Sequence, residues 1–541
     1  MDGTAQHVTG AEAVIAAFMA AGMPAIFGVP GGGSSLDLIA AAQAAGLRFV
    51  LARTESGAGI MASALAELTH RPVGLLTTRG PGVSNAANGI ANAALERAPV
   101  VMIADGFGAA EARFATHQLF DQAAMLAPVT RAALRTRETP PGEAALGALA
   151  AALGAPRGPA YLELAGDSAR APTPAAAPFA APTLPAPDAP TIAVARALLD
   201  RAQRPAVIVG LEACDPARAA ATRALVEALQ APALVTYKAK GVIPDAHPLF
   251  AGVFTGGAAE APLLHEADLI VLAGADPVEF IAQPWRYAAP VLDLATAPRR
   301  PHYLEPACTL IGAWEQAALA EGLAPRPWPA NAPAAHRAAW RAALDNGPTG
   351  NRGLSPTAVV RITQAACRAA AADPRVAVDA GAHMFPCTSF WEAERPGDLL
   401  ISNGLATMGY ALPAAIAAAW HDPRRGAIAF TGDGGLLMAL GELATAAALG
   451  VNLTVVVFND AALSLIAIKT GGRELPSGAL GWPEVDFASV MRGLGGRAWR
   501  VTDEAGLAAA LREALTADGP CLVDVWTDPS SYPRQITALR G

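Results

Sequence analysis

The chain has 541 residues, too many for one ordinary core, and roughly three or four domains are expected at about 150 residues each. Its composition, 53% hydrophobic and 16% charged, is that of a globular protein and excludes a disordered chain. A net charge of −8 without Lys/Arg clusters argues against nucleic acid as a partner, and no apolar run approaches the ~20 residues of a membrane span.

The opening residues, MDGTAQHVTG, lack the basic stretch followed by an apolar one that marks a secretory signal. Cys214, Cys308, Cys367, Cys387 and Cys521 are scattered and make no CxxC pair, so a reducing, cytoplasmic compartment is expected. From the N-terminus, AIFGVP, FVLA, VGLLTT and VVMIAD read as strands, with SGAGIMASALAEL a helix among them. Pro and Ala dominate residues 171–190, which should be an extended linker. PAVIVG, PALVTY and LIVLAG are the strands of a middle block. A second break spans 323–356, where AAHRAAWRAAL is a short helix between Pro/Gly-rich stretches. RVAVDAG, GAIAFTGDG, LTVVVFND and CLVDVW are strands of the last block. Strands alternating with Ala/Leu-rich helices predict an α/β protein of three doubly wound parallel-sheet domains, at 1–170, 190–325 and 356–541.

The richest stretch runs from Ala427 to Asp460 and reads as strand, Gly-rich turn, one amphipathic helix opening at Leu436, and strand. The turn sets Asp433 between Gly432 and Gly434, followed by Gly435. Glycines there admit a diphosphate to the backbone at a helix N-terminus. A hard divalent cation such as Mg²⁺ takes oxygen ligands. Asp433 offers one, and Asp460, 27 positions on at the end of the next strand, offers another. Alone, GDG is also a common βα turn whose Asp caps a helix. Early in the chain, Glu55 follows the apolar strand FVLA and opens a small-residue helix, where a Glu is usually a solvated N-terminal charge.

Together these segments resemble the thiamine-diphosphate (ThDP) enzymes, whose signature is GDG followed, after a helix and a strand, by Asn-Asn; here the pair is Asn459-Asp460. The resemblance implies three domains that bind the pyrimidine, resemble a nucleotide-binding fold, and bind the diphosphate. It implies Mg²⁺ held by Asp433, Asp460 and the backbone of Ala462, with Leu463 beside the cofactor. Glu55, in a segment similar to the family's R-x-E-x-x-A, takes the place of the catalytic glutamate at N1′ of the aminopyrimidine, where a buried acid is expected. FGVPGGGSSLDL and TTRGPGVSNAANGIANAALERAPVVMI resemble the early PGG loop and the GPG helix, which place Gly32 and Gly82 near the cofactor. VDAGAHM implies phosphate contact at His383 and backbone contacts at Ala380 and Gly381. NGLATMGYALPAAI implies that Met408 wedges the cofactor and that Ala406 bonds its amino group. Because acid and diphosphate site lie in different domains, the resemblance also implies a homodimer at least, with a homotetramer expected.

The branch most similar is that of acetolactate synthases, which decarboxylate a small 2-oxo acid and ligate the acyl unit to an acceptor. Benzoylformate-decarboxylase-like members carry a histidine and a serine where Leu76 and Gly32 stand. Pyruvate-decarboxylase-like members carry paired histidines where this chain has His117 and Gln118, the candidates for polar groups over the reacting carbon. A simple decarboxylase releasing an aldehyde stays open. Flavin signatures are missing, with GADPVEF and GVFTGGA in their places, which argues against FAD. Lys469 stands near the family's acceptor-selecting tryptophan, as a substrate contact or a solvent-facing cap. Two rivals are weaker: a non-catalytic ThDP- or nucleotide-binding regulatory subunit has no use for Glu55, and an NAD enzyme needs glycines that VIVGLEACDPAR lacks.

Overall fold

In the computed structural model the described residues are all except 1–6, 282, 300–303, 327, 330, 346–349, 351 and 477. Parts of the second predicted break therefore lie outside them, while its helix is present as Ala332–Asp345. Three six-stranded sheets, every strand pair parallel, carry the chain, and a two-stranded antiparallel ribbon joins His7–Thr9 to Pro172–Pro174. The α/β reading holds. The stretch between that ribbon and the helix at Ala189 has no regular structure, as its prolines require.

By contacts the residues fall into two compact units. The first contains Met1–Thr183 with two short later segments, Ile416–His421 and Ala439–Leu449. Its sheet runs, in space, Arg48–Leu51, Ala25–Val29, Val73–Thr77, Val100–Gly106, Ala160–Ala165, Ala133–Arg135. The helices Glu55–Thr69 and Pro81–Leu95 pack so closely there that a Cβ on Gly89 would stand 2.8 Å from the Cα of Gly59.

The second unit holds the other two sheets. In the middle one, strands run in the dinucleotide-fold order 3-2-1-4-5-6 counted along the chain. Strand Pro205–Val209 sends Val207 and Val209 into one apolar cluster and Ala206 and Ile208 into another, so both faces are covered. The last sheet orders its strands 2-1-3-4-6-5, the same order as the first unit's sheet. Contacts such as Lys238 Nζ donating to Ile401 O at 3.0 Å and Ala393 N to Asp245 at 3.1 Å tie the middle and last sheets into one unit.

Candidate active site

An open α/β sheet leaves a crevice where neighbouring strands send their connections to opposite sides. In the last sheet this switch point lies between Arg375–Val378 and Ala427–Gly432, which pair directly. Ala380, Gly381 and His383 leave the first of these strands, and Gly432, Asp433, Gly434 and Gly435 close the second. Asp460, Ala462 and Leu463 follow Leu453–Asn459, the next strand over. All of these, with Ala406 and Met408 from the preceding loop, line one cavity of about 420 Å³, within the range of small-molecule sites.

The glycines are there for space. A Cβ on Gly434 would meet Trp482 at 2.9 Å, and one on Gly435 would meet Asp379 Oδ2 at 2.4 Å. A Cβ on Gly381 would sit 2.7 Å from the ring of His383. That ring stacks on Phe458 at 5.2 Å; burial lowers its pKa to about 3, so the imidazole is neutral, and its Nε2 has no partner among the described residues. The helix after the turn begins at Asp433 itself, earlier than expected. Instead of one helix there are two, Asp433–Ala439 and Glu442–Leu449, separated by Gly441, a residue that weakens helices.

Asp433 is 2% exposed. Burial, and then the charge of Asp460, push its carboxyl up to about 7, and burial pushes Asp460 to about 6. Gly434 N donates to Asp433 Oδ1 at 2.8 Å and Ser464 Oγ donates to Asp460. Asp433 Oδ2 is buried with no partner among the described residues. Two buried carboxylates, one raised by the charge of the other and left with an orphaned oxygen, fit a hard divalent cation, which would relieve both the repulsion and the missing hydrogen bond.

The cavity is also lined by residues from the middle domain's connections and the C-terminal helix: Tyr237, Phe254, Glu279, Phe280 and Arg540. Lys469 also lines the cavity while staying exposed, so both sequence readings of it fit. The middle sheet's own switch point is filled. Glu279, its carboxyl raised to about 8 by burial, accepts from Thr236 Oγ1 at 2.5 Å and Leu211 N at 2.9 Å, and a Cβ on Gly210 would stand 2.2 Å from Ala275 Cα.

In the first unit, Glu55 opens its helix with Thr54 as N-cap, whose hydroxyl accepts from Gly57 N at 2.9 Å. The expectation of a buried acid is corrected for the single chain: Glu55 is half-buried, because it sits on the first turn at a strand's end. Its Oε2 accepts a long 3.4 Å hydrogen bond from Asn85, and a Cβ on Gly82 would stand 3.5 Å from its Oε1. Gly32 lies in the turn after Ala25–Val29, open on its Cα side. His117 and Gln118 are both exposed, and Gln118 has a left-handed backbone (φ +59°) against Gly80.

Family models match three stretches: the N-terminal TPP-binding domain of thiamine pyrophosphate enzymes over residues 8–125, their central domain over 192–293, and their C-terminal TPP-binding domain over 379–525. A catabolic acetolactate synthase from Raoultella terrigena is 30% identical over 98% of this chain and 96% of its own length. The chain belongs to the thiamine pyrophosphate enzyme family. An acetolactate synthase from Bacillus subtilis is 29% identical over 96% of this chain and 93% of its own. A probable 2-ketoarginine decarboxylase from Pseudomonas aeruginosa is also 29% identical, over 96% and 94%. This is therefore a ThDP-dependent enzyme, a carboligase or a decarboxylase.

Sequence reasoning about this thiamine pyrophosphate enzyme missed Asp379. It is fully buried, held near 6 by burial, and accepts from Thr431 Oγ1 (2.8 Å), Ala380 N (3.0 Å) and Tyr410 N (3.1 Å), so it ties two walls of the cavity together. Its place in VDAGAHM was the available signal. Tyr237, Phe254 and Arg540 had none, because no local motif marks a cavity wall assembled from distant segments.

Proposed function

We propose that the protein is a ThDP- and Mg²⁺-dependent enzyme that decarboxylates a small 2-oxo acid and ligates the remaining acyl unit to an acceptor carbonyl, in the manner of an acetolactate synthase. The observation that carries this is the cavity at the last sheet's switch point, with its paired carboxylates and glycine cradle, in a chain whose relatives of full length include acetolactate synthases. ThDP, when bound, supplies a nucleophilic carbon that adds to the carbonyl of the oxo acid and accepts the electrons left when CO₂ departs.

The chain's own residues do the rest. Asp433, Asp460 and the Ala462 carbonyl hold Mg²⁺, and Gly432, Gly434 and Gly435 let the diphosphate reach the backbone. His383, neutral and with a free Nε2, contacts a phosphate oxygen. Ala380, Gly381, Ala406, Met408 and Leu463 shape the space around the rings. Glu55 holds and moves the proton at N1′, with Gly32, Gly82, His117 and Gln118 around the reacting centre. Domains at 1–170, 190–325 and 356–541, a homodimer or homotetramer, no FAD and a cytoplasmic location complete the reading; no helix among the described residues is long and apolar enough to cross a membrane.

A simple decarboxylase is the second reading, favoured by the full-length similarity to a probable 2-ketoarginine decarboxylase. A panel of 2-oxo acids with ThDP and Mg²⁺, scored for CO₂ and for 2-hydroxy-3-oxo acid, acyloin or aldehyde, separates the two. A 2-hydroxy-3-oxo acid or an acyloin supports ligation, aldehyde alone supports the second reading, and no CO₂ from any acid overturns both. Glu55→Gln should still bind ThDP but lose about 10²–10⁴-fold in turnover. Unchanged turnover would remove Glu55 from the mechanism.

A further inference from the structure

Glu442 is a fully buried carboxylate in the first unit, 387 positions from Glu55 in sequence. Its Oε1 accepts from Thr54 N at 2.9 Å, from Thr54 Oγ1 at 2.9 Å and from Arg53 N at 3.3 Å. Its Oε2 accepts from Arg53 N at 3.4 Å and from Thr445 Oγ1 at 2.6 Å. Gly57 is the residue that lets the carboxylate in, since a Cβ there would stand 2.4 Å from Oε1.

Burying a charged group is costly, and here backbone N–H groups and hydroxyls rather than a cation satisfy it. A helix N-cap does not need this, because Thr54 already caps Gly57 with its own hydroxyl. The extra carboxylate instead clamps the two residues immediately before Glu55. Among the described residues the Glu55 side chain has only the long bond from Asn85 to orient it, so its position depends on the backbone from which it departs. Proton transfer tolerates little misplacement, about 1 Å costing on the order of 10²-fold in rate.

We propose that Glu442 is a positioning residue, fixing through Arg53 and Thr54 the backbone that aims Glu55. This rests on the reading of Glu55 as the acid at N1′, and the experiment separates the two claims. Glu442→Gln, Glu442→Asp and Glu55→Gln are compared with wild type in two measurements. The first is amide hydrogen exchange of Arg53–Gly57 in the cofactor-free protein. Glu442→Gln should lose about 10-fold or more of that protection, since one acceptor oxygen becomes an NH₂ facing donors. Met61–Leu65, further along the helix, should be unchanged.

The second is hydrogen–deuterium exchange at the thiazolium C2 with ThDP and Mg²⁺ bound, alongside ThDP affinity. Glu442→Gln should slow C2 exchange about 10- to 100-fold with affinity within a few-fold of wild type, and Glu442→Asp should recover part of the rate. Should Glu442→Gln fail to fold, Glu442→Asp carries the same comparison. Slow exchange in Glu55→Gln with wild-type exchange in the Glu442 variants overturns the positioning role alone. Wild-type exchange in Glu55→Gln removes the acid at N1′, and the positioning role with it.

Discussion

Asp433→Asn tests the paired carboxylates without any substrate. In the folded, metal-free protein the Asp433 carboxyl titrates near 7 instead of 3.8, chiefly through burial and secondarily through Asp460. A carboxyl raised in the fold favours the neutral form. Its contribution is fully present below 3.8 and is lost as pH rises through about 7. At about 1.4 kcal/mol per pH unit the loss is about 1.7 kcal/mol at pH 5 and about 4 at pH 8. The asparagine is neutral throughout and escapes it. Between pH 5 and 8, metal-free wild type should therefore lose about 2–3 kcal/mol relative to Asp433→Asn. Urea unfolding of chelator-treated protein at the two pH values measures this, and tryptophan fluorescence is a suitable probe because the Trp482 ring lies where a Cβ on Gly434 would be 2.9 Å from it. Adding Mg²⁺ with ThDP at pH 8 should reverse the order, because only wild type keeps both carboxylates for the cation. Parallel pH responses of the two proteins would refute the argument that Asp433 is strained by burial and by the charge of Asp460.

Gly89→Ala should lower stability by about 1–3 kcal/mol, since its Cβ meets backbone rather than a movable side chain and the two helices must separate; an unchanged melting temperature would contradict that packing. Lys240→Met should cost at most about 3–5 kcal/mol, because Lys240 and Asp245 form a buried pair at 2.9 Å and the substitution leaves the buried carboxylate with only the more distant Arg341, at 3.7 Å, as a cation. Replacing both, Lys240→Met with Asp245→Leu, should recover part of that loss in the same melts, and no recovery would show that packing rather than charge was lost.

AIFGV, PAVIV and LTVVVF were legible as nearly unbroken apolar runs, which mark central parallel strands. The edge strand within FVLA was read as well, whereas the central strands Ala160–Ala165 and Val291–Ala295 were not, because Glu163 and Asp293 interrupt their apolar runs. Arg497–Val501 and Ala133–Arg135 escaped notice because edge strands mix exposed and charged residues into a short run. The diphosphate side of the site was legible for a related reason. Its residues follow strand ends in glycine-rich turns, so local sequence and spatial clustering coincide at Asp433 and Asp460. Glu442 was not legible, since nothing in ELATAAAL announces a partner at Thr54.

The chain has three lysines among its 39 basic residues, and their placement makes it unusually readable by chemical footprinting. Lys238 and Lys240 are sealed in the second unit, at 7% and 0% exposure, while Lys469 is open and lines the cavity. An amine-reactive acylating reagent used on the native protein therefore has one side chain to find. Apart from the chain's α-amine, which reacts as well, acylation is confined to Lys469, and its extent in the peptide that carries Lys469 reports whether that edge of the cavity is open or covered.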